Sequence, residues 1–203
     1  MWSYRDYQRS RVQQKEGENE MSRLKSIHWG YWIPLVFLAT FCALFVRSFL
    51  IVPLEIDGNS MEPTLYSKQK VLVQDFGRIR RFDVIIIKMP DGKTYVKRVI
   101  GMPGDELSYL NDKLYINGQH ISENFLKKVI KQNPNQTYTS DFSLKELTGM
   151  EHVPQGEYFV LGDNRRISKD SRTFGTVKAN WVTGKAVIVY WPLTDLKWIG
   201  KNN

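Results

Sequence analysis

The chain has 203 residues, of which 42% are hydrophobic and 25% charged, and its formal net charge is +8. This length fits one globular domain plus an appendage, and the plentiful aromatic residues argue against a disordered chain. Because the basic residues are spread along the chain without a zinc-finger or basic-zipper pattern, nucleic acid ranks last among the partners that such a charge favours.

The first part of the chain predicts a membrane anchor. Residues 1–25 are polar without apolar periodicity and predict a flexible tail. Residues 26–46 lack Asp, Glu, Lys and Arg over a length that spans a bilayer as a helix. A buried core helix would show a polar face, and a cleaved signal peptide would end in small residues, whereas this run ends Leu-Phe-Val. We therefore expect an uncleaved, single-pass anchor, with the basic tail in the cytoplasm and residues 47–203 outside.

The rest of the chain predicts short strands. Six segments rich in β-branched or aromatic residues have this character: Lys70 to Gln74, Asp83 to Met89, Thr94 to Ile100, Lys113 to Ile116, Glu157 to Leu161 and Lys185 to Trp191. A Pro-Asp-Gly-Lys turn joins the second and third into a hairpin. Residues 121–150 are polar with weak helical pattern, and we expect a mobile or variable excursion there. Because no long amphipathic helix separates the strands, the fold class is mainly antiparallel β.

A serine in a turn is the first candidate for catalysis. Residues 58–65 read Gly-Asn-Ser-Met-Glu-Pro-Thr-Leu, and the residue types indicate a turn. Turn serines usually hydrogen-bond the backbone, and a nucleophilic Ser60 would need a nearby base. His120 and His152 lie in polar surroundings, and the chain contains neither a Gly-x-Ser-x-Gly elbow nor a His-Glu-x-x-His motif. A histidine triad and a zinc site are therefore unsupported.

Lys97 is the remaining candidate base. Strand alternation places Tyr95, Lys97 and Val99 on one face. Burial there would lower the pKa of the lysine, so that its neutral amine could accept a proton. The pattern leaves open a surface lysine on an edge strand. Residues 162–172 (Gly-Asp-Asn-Arg-Arg-Ile-Ser-Lys-Asp-Ser-Arg) follow a predicted strand and indicate either an ordinary solvated loop or a loop tied by charge-assisted bonds.

Four motifs in this order resemble type I signal peptidases, the membrane-anchored Ser/Lys proteases that remove signal peptides from exported proteins. They are residues 60–65, residues 81–85 (Arg-Phe-Asp-Val-Ile), residues 97–105 (Lys-Arg-Val-Ile-Gly-Met-Pro-Gly-Asp) and residues 162–172. The resemblance covers the anchor and nearly all of the domain, and it is strongest to the short, single-anchor form of Gram-positive bacteria. It implies a location in the bacterial cell membrane and a β-rich protease fold shared with self-cleaving repressors.

The resemblance also implies roles for individual residues. Ser60 would be the nucleophile and Lys97 the general base. Ser168 would orient Lys97 by a hydrogen bond, and Asp170 and Arg172 would form a structural ion pair. The implied enzyme is a monomer without metal or cofactor, which cleaves preproteins after small residues spaced as Ala-x-Ala and binds no nucleic acid.

Substrate binding and the oxyanion hole are predicted less directly. Ile56 and Val96 are expected to line shallow apolar pockets for the small residues. Some relatives place a serine hydroxyl in the oxyanion hole where this chain has Gly58, so we expect backbone amides to serve here, in particular that of Ser60. Two alternatives are a self-cleaving regulator with the same dyad and an inactive, membrane-tethered binding protein. The apolar run and the absence of a helix-turn-helix argue against the first, and the intact dyad argues against the second.

Overall fold

The protein is represented by a computed structural model that describes residues 29–49, 52–74 and 77–199. The predicted tail, residues 1–25, lies outside the described residues. The chain divides into two compact units, Met1–Phe49 and Leu50–Asn203.

The first unit contains helix α1, Trp29–Phe49. Apolar side chains along it, among them Trp32, Phe37 and Phe41, are more than half exposed. None of the helices in the described ranges combines the length with the apolar character that crossing a membrane requires. The anchor predicted at residues 26–46 therefore overlaps a helix, and its insertion into a bilayer stays a prediction.

The second unit is mainly β structure, as predicted. Its described residues form twelve strands: β1 Val52–Glu55, β2 Lys70–Gln74, β3 Val84–Lys88, β4 Thr94–Gly101, β5 Leu107–Leu110, β6 Lys113–Ile116, β7 Gln119–Ile121, β8 Phe142–Ser143, β9 Glu157–Leu161, β10 Val177–Lys178, β11 Val182–Trp191 and β12 Lys197–Trp198. Three short helices accompany them: α2 Lys127–Gln132, α3 Leu144–Thr148 and α4 Ser171–Phe174. Each of the six predicted segments contains a strand, whereas the six strands that were not predicted have four residues or fewer.

The strands form two antiparallel sheets. The larger has the order β1-β2-β11-β3-β4-β9-β10, with β12 paired to β11, and the smaller has the order β7-β6-β5-β8. The predicted hairpin is β3 and β4, in which Ile85 pairs with Lys97. Strand β3 is buried on both faces, because alternate side chains enter different apolar clusters: Val84 and Ile86 one, Ile85 and Ile87 the other. Lys97 therefore lies on a strand that crosses the middle of the larger sheet.

The chain between β4 and β9 forms the smaller sheet and two of the short helices. Its apolar residues pack in one cluster with Ile100 of β4 and with Phe159 and Leu161 of β9. The excursion expected at residues 121–150 belongs to this insertion and includes the fully buried Leu126 and Leu144. The prediction of an excursion rested on the average polarity of the segment, which concealed the few apolar side chains that attach it to the core.

Candidate active site

The connection from β1 to β2 presents Ser60. The backbone of Ile56 pairs with residues 68–69 in both directions, at N···O distances of 2.8 Å, which closes the base of this connection. Met61 and Leu65 are buried in an apolar cluster and fix the turn from below. Ser60 itself is only half-buried, so its hydroxyl is held rigidly and can still be reached.

Lys97 meets Ser60 although the two residues lie 37 positions apart in the sequence. The distance from the Lys97 Nζ to the Ser60 Oγ is 2.7 Å, which suits proton transfer between them. Lys97 is 2% exposed, and its Nζ lies 5.6 Å from the centre of the Tyr95 ring on the same face of β4. The edge-strand alternative for Lys97 is therefore wrong.

The surroundings of Lys97 favour its neutral form. Burial lowers the pKa of Lys97 from 10.5 to about 8, while the more distant carboxylates of Asp170 and Asp163 act in the opposite direction. Neither carboxylate makes an ion pair with the amine, so desolvation dominates. A substantial fraction of Lys97 is thus unprotonated, and able to accept a proton, near pH 8.

The backbone amide of Ser60 is available to an incoming carbonyl oxygen. Within residues 52–74 and 77–199, this amide donates no hydrogen bond. Gly58 has a φ of +86°, and its own amide donates to the Ser67 Oγ at 3.4 Å. The arrangement fits the expectation that an oxyanion hole here begins with the Ser60 amide.

The loop of residues 162–172 lies directly against the serine turn. The Asn164 amide donates to the Ser60 carbonyl at 3.0 Å, and the Asn164 side chain donates to the Asn59 carbonyl at 3.3 Å. A Cβ atom on Gly162 would come within 2.1 Å of the Ser168 Oγ and 2.5 Å of the Ser60 carbonyl oxygen. Only glycine fits at position 162, and Asn164 connects the loop to the turn that carries Ser60, a role that the sequence analysis did not assign.

The ion pair expected between Asp170 and Arg172 is present. The Arg172 Nη2 lies 2.9 Å from the Asp170 Oδ2, and the Asp170 carboxylate is fully buried. The same carboxylate accepts hydrogen bonds from the Gly162 amide at 3.0 Å and from the Arg172 amide at the start of α4. Asp170 therefore joins the two ends of the loop.

Ser168 is placed differently from the expectation. Its Oγ is buried and has no hydrogen-bond partner among the described residues, so the hydrogen bond to Lys97 implied by the resemblance is absent. A buried hydroxyl without a partner is energetically costly. Its side chain lies beside the α-carbon of Gly162, within the site, and an orienting role for Ser168 stays a prediction.

Two further ion pairs support the site and were not predicted. Arg98, next to Lys97, forms a buried two-contact pair with Asp163 at 2.8 and 2.6 Å. Arg81 binds Asp105 at 2.8 Å and the carbonyl of Ile100 at 2.6 Å. The sequence signal for these ion pairs was the presence of opposite charges in different motifs, but the charged residues of four motifs can be paired in many ways.

The predicted substrate pockets remain predictions. Ile56 is 3% exposed, and the half-buried Val96 packs against the same apolar cluster. A cavity of about 580 Å³ is lined by Thr64 of the serine motif and by Arg98, and also by Phe125 and Trp198, among others, but not by Ile56 or Val96. Within the described ranges, no cluster of three or more His, Cys, Asp or Glu side chains is arranged to hold a metal ion.

Comparisons with known proteins agree with this geometry. The family described as "Signal peptidase, peptidase S26" matches residues 29–191. Signal peptidase I of Bacillus caldolyticus is 42% identical over 168 residues, which cover 81% of this chain and 90% of that one. Signal peptidase IB of Staphylococcus aureus (strain MRSA252) is 35% identical over 175 residues, or 82% of this chain and 92% of that one.

A solved structure is also similar. In the crystal structure of a signal peptidase I from Enterococcus faecalis V583, the matched part is 46% identical in sequence to this chain and superposes with a TM-score of 0.51. The match covers 54% of this chain and 97% of the Enterococcus chain. The mainly antiparallel β architecture described above is therefore one that a signal peptidase I adopts.

Proposed function

Because the chain belongs to the signal peptidase family, peptidase S26, and is a signal peptidase hydrolase, we propose that it removes signal peptides from exported preproteins with a Ser60–Lys97 dyad. The observation that carries the dyad is the 2.7 Å contact between the Ser60 Oγ and the Lys97 Nζ. Since Lys97 is 2% exposed, the contact joins a reachable hydroxyl to an amine that burial keeps partly neutral.

The reaction follows from these positions. The neutral Lys97 amine takes the Ser60 proton as the oxygen attacks the carbonyl carbon of the scissile bond. The Ser60 amide donates a hydrogen bond to the oxyanion that forms. The Lys97 ammonium then protonates the leaving amine, which is the new N-terminus of the mature protein. Water, deprotonated by Lys97, hydrolyses the acyl-enzyme and regenerates the serine.

We further propose that the enzyme cleaves after small residues spaced as Ala-x-Ala. Ile56 and Val96 belong to one apolar cluster, and the walls that they form would leave room only for short side chains. Discrimination by the size of an apolar pocket is modest, about 1–3 kcal/mol per methylene group. The proposal therefore includes a second contribution, the concentration of enzyme and preprotein in one bilayer.

Membrane anchoring is the part of the proposal that depends most on sequence. Residues 26–46 contain no fully charged side chain, and the apolar side chains exposed along α1 would be covered by lipid. In the catalytic domain, Val52, Trp191 and Trp198 are also more than half exposed and would favour a nearby apolar surface. No described helix meets the requirements for a span, and extraction of membranes at alkaline pH tests the anchoring.

The dyad is tested with the full chain in detergent and a peptide that contains Ala-x-Ala. Ser60→Ala and Lys97→Ala are expected to abolish detectable cleavage, whereas Lys97→His tests whether another neutral base serves at this position. Undiminished turnover in Lys97→Ala would refute the dyad. Loss of activity only in Ser60→Ala would show that the serine is activated by some other group.

A further inference from the structure

The insertion between β4 and β9 contacts the loop of residues 162–172, here called the catalytic loop, at several points. Residues 121–142 of this insertion, here called the clamp segment, contribute no residue to the Ser60–Lys97 contact. They nevertheless provide Glu123, Phe125, Tyr138 and Thr139, all of which contact residues of the loop or their direct partners.

The strongest contact is a buried ion pair between the clamp segment and Arg165. Glu123 and Arg165 lie 42 positions apart, and the Arg165 Nη2 donates to the Glu123 Oε1 at 2.5 Å. The Arg165 Nη1 also donates to the Tyr109 hydroxyl at 2.9 Å and to the Thr139 Oγ1 at 3.2 Å. Because both partners are almost fully buried, removal of either would leave an uncompensated charge in the interior.

Arg165 transmits this contact to the backbone beside the nucleophile. Its Nε donates to the Gly162 carbonyl at 3.0 Å. Gly162 is the residue whose α-carbon lies against the Ser60 carbonyl, and the loop is joined to that same carbonyl by Asn164. The guanidinium therefore connects Glu123 on one side with the support of Ser60 on the other.

Two more contacts hold Asp163, the residue that follows Gly162 in the loop. The Tyr138 hydroxyl donates to the Asp163 carbonyl at 2.9 Å. The Phe125 ring lies 3.9 Å from the Arg98 guanidinium, which in turn holds the Asp163 carboxylate. Consecutive carbonyls of the loop, those of Gly162 and Asp163, are thus fixed by donors that the insertion supplies or orients.

We propose that Glu123 is a positioning residue for proteolysis, which acts through Arg165 to hold the catalytic loop against the serine turn. The proposal deepens the proposed function and rests on it. A role in stability alone would require only that the insertion be attached somewhere, whereas these contacts reach the carbonyls of Gly162, which lies against the Ser60 carbonyl, and of Asp163, which directly precedes Asn164.

The test compares Glu123→Gln with Glu151→Gln in the full chain. Glu151 makes an exposed ion pair with Lys145 at 2.8 Å, so its variant is a matched control with unchanged activity. For Glu123→Gln we expect kcat to fall about 10–100-fold with KM within about twofold of the wild type, because misplacement by about 1 Å can lower rates by this much. Tyr138→Phe removes a single hydrogen bond, keeps the fold, and should lower kcat by a smaller factor.

A pH profile separates positioning from mere stability. The charged groups that act on Lys97 are Asp170 and Asp163, both in the loop, and the remaining neighbours described are the neutral Ser60 and the Tyr95 ring. If the loop withdraws, Lys97 loses the two carboxylates that raise its pKa and also part of the burial that lowers it. Burial is the larger effect, so the acidic limb of kcat/KM should shift to higher pH in Glu123→Gln.

Reduced thermal stability in Glu123→Gln with unchanged kcat and an unchanged acidic limb would overturn the inference. If Glu123→Gln does not fold, unchanged kcat in Tyr138→Phe has the same meaning. Retention of activity in Ser60→Ala would instead overturn the proposed function, so the two failures are distinguishable.

Discussion

Lys97 and Arg165 are equally buried basic side chains whose pKa values are shifted in opposite directions. Each exposes 2% of its surface. Burial lowers the pKa of Lys97 to about 8. Burial also acts to lower the pKa of Arg165, but Tyr109 and Glu123 outweigh it and raise that pKa above its ordinary value.

The two pKa shifts differ because the two side chains contact different partners. Lys97 touches a neutral hydroxyl and has its carboxylates at a distance, whereas Arg165 is in direct contact with the Glu123 carboxylate. Burial therefore creates a base only where the compensating charge is withheld. In the same domain, the basic side chain with a carboxylate partner stays charged and attaches the loop, and the one without a carboxylate partner is partly neutral, the form that the proposed mechanism requires.

Exchange of the two side-chain types sharpens this comparison, with the largest effect at position 97. Lys97→Arg would place a guanidinium that stays protonated where a neutral amine is needed. We expect kcat to fall by about 10³-fold or more, the usual scale for loss of a general base. Single-turnover cleavage of the Ala-x-Ala peptide measures it, and turnover near the wild-type rate would show that Lys97 does not act as a base.

The reciprocal change, Arg165→Lys, should act on stability. A lysine keeps the charge but not the planar set of donors that reaches Glu123, Tyr109 and the Gly162 carbonyl together. We expect the free energy of unfolding to fall by about 2–4 kcal/mol, as measured by urea denaturation. The neighbouring Arg166 is exposed, so Arg166→Lys is the matched control, and an equal change in both variants would contradict the comparison.

The smallest effect is the response of the wild type to pH. In the proposed mechanism Lys97 acts as a base only when deprotonated, and burial lowers its pKa to about 8. As pH falls through this value activity is lost, and kcat/KM at pH 7 should be about tenfold below its value at pH 9. If the acidic limb of the kcat/KM profile lay near the pKa of a free lysine, the amine would be solvated in the active enzyme, and Lys97 would resemble an ordinary surface lysine.

Sequence periodicity was sufficient for the parts of the fold with the strongest local signals. The segment Asp83 to Met89 and the turn after it predicted a strand and a hairpin, and both are confirmed, with the strand at Val84–Lys88. The pattern around Lys97 placed it on the same face as Tyr95, where the structure has it. Strands of two residues, such as β8 and β12, carry no readable period and arise from pairing with neighbours.

The supporting contacts of the site were beyond sequence reasoning for a different reason. Glu123 lies in a polar segment, and nothing local distinguishes it from an exposed glutamate such as Glu151. Its burial is decided by Arg165, a residue 42 positions away. The absent hydrogen bond of Ser168 is similar, because its Oγ depends on the packing beside Gly162.

The topology of the insertion has a practical consequence for protein engineering. The chain leaves the large sheet at Gly101 and re-enters it near Phe159, its neighbour across the β4–β9 ladder. A tight hairpin would bridge that gap and yield a minimal domain that retains both members of the dyad. Such a truncated protein would lose Tyr109, Glu123 and Thr139 together, which would expose the Arg165 guanidinium to solvent and free the backbone at Gly162 that it holds. Miniaturising this scaffold therefore requires a new attachment for the loop of residues 162–172.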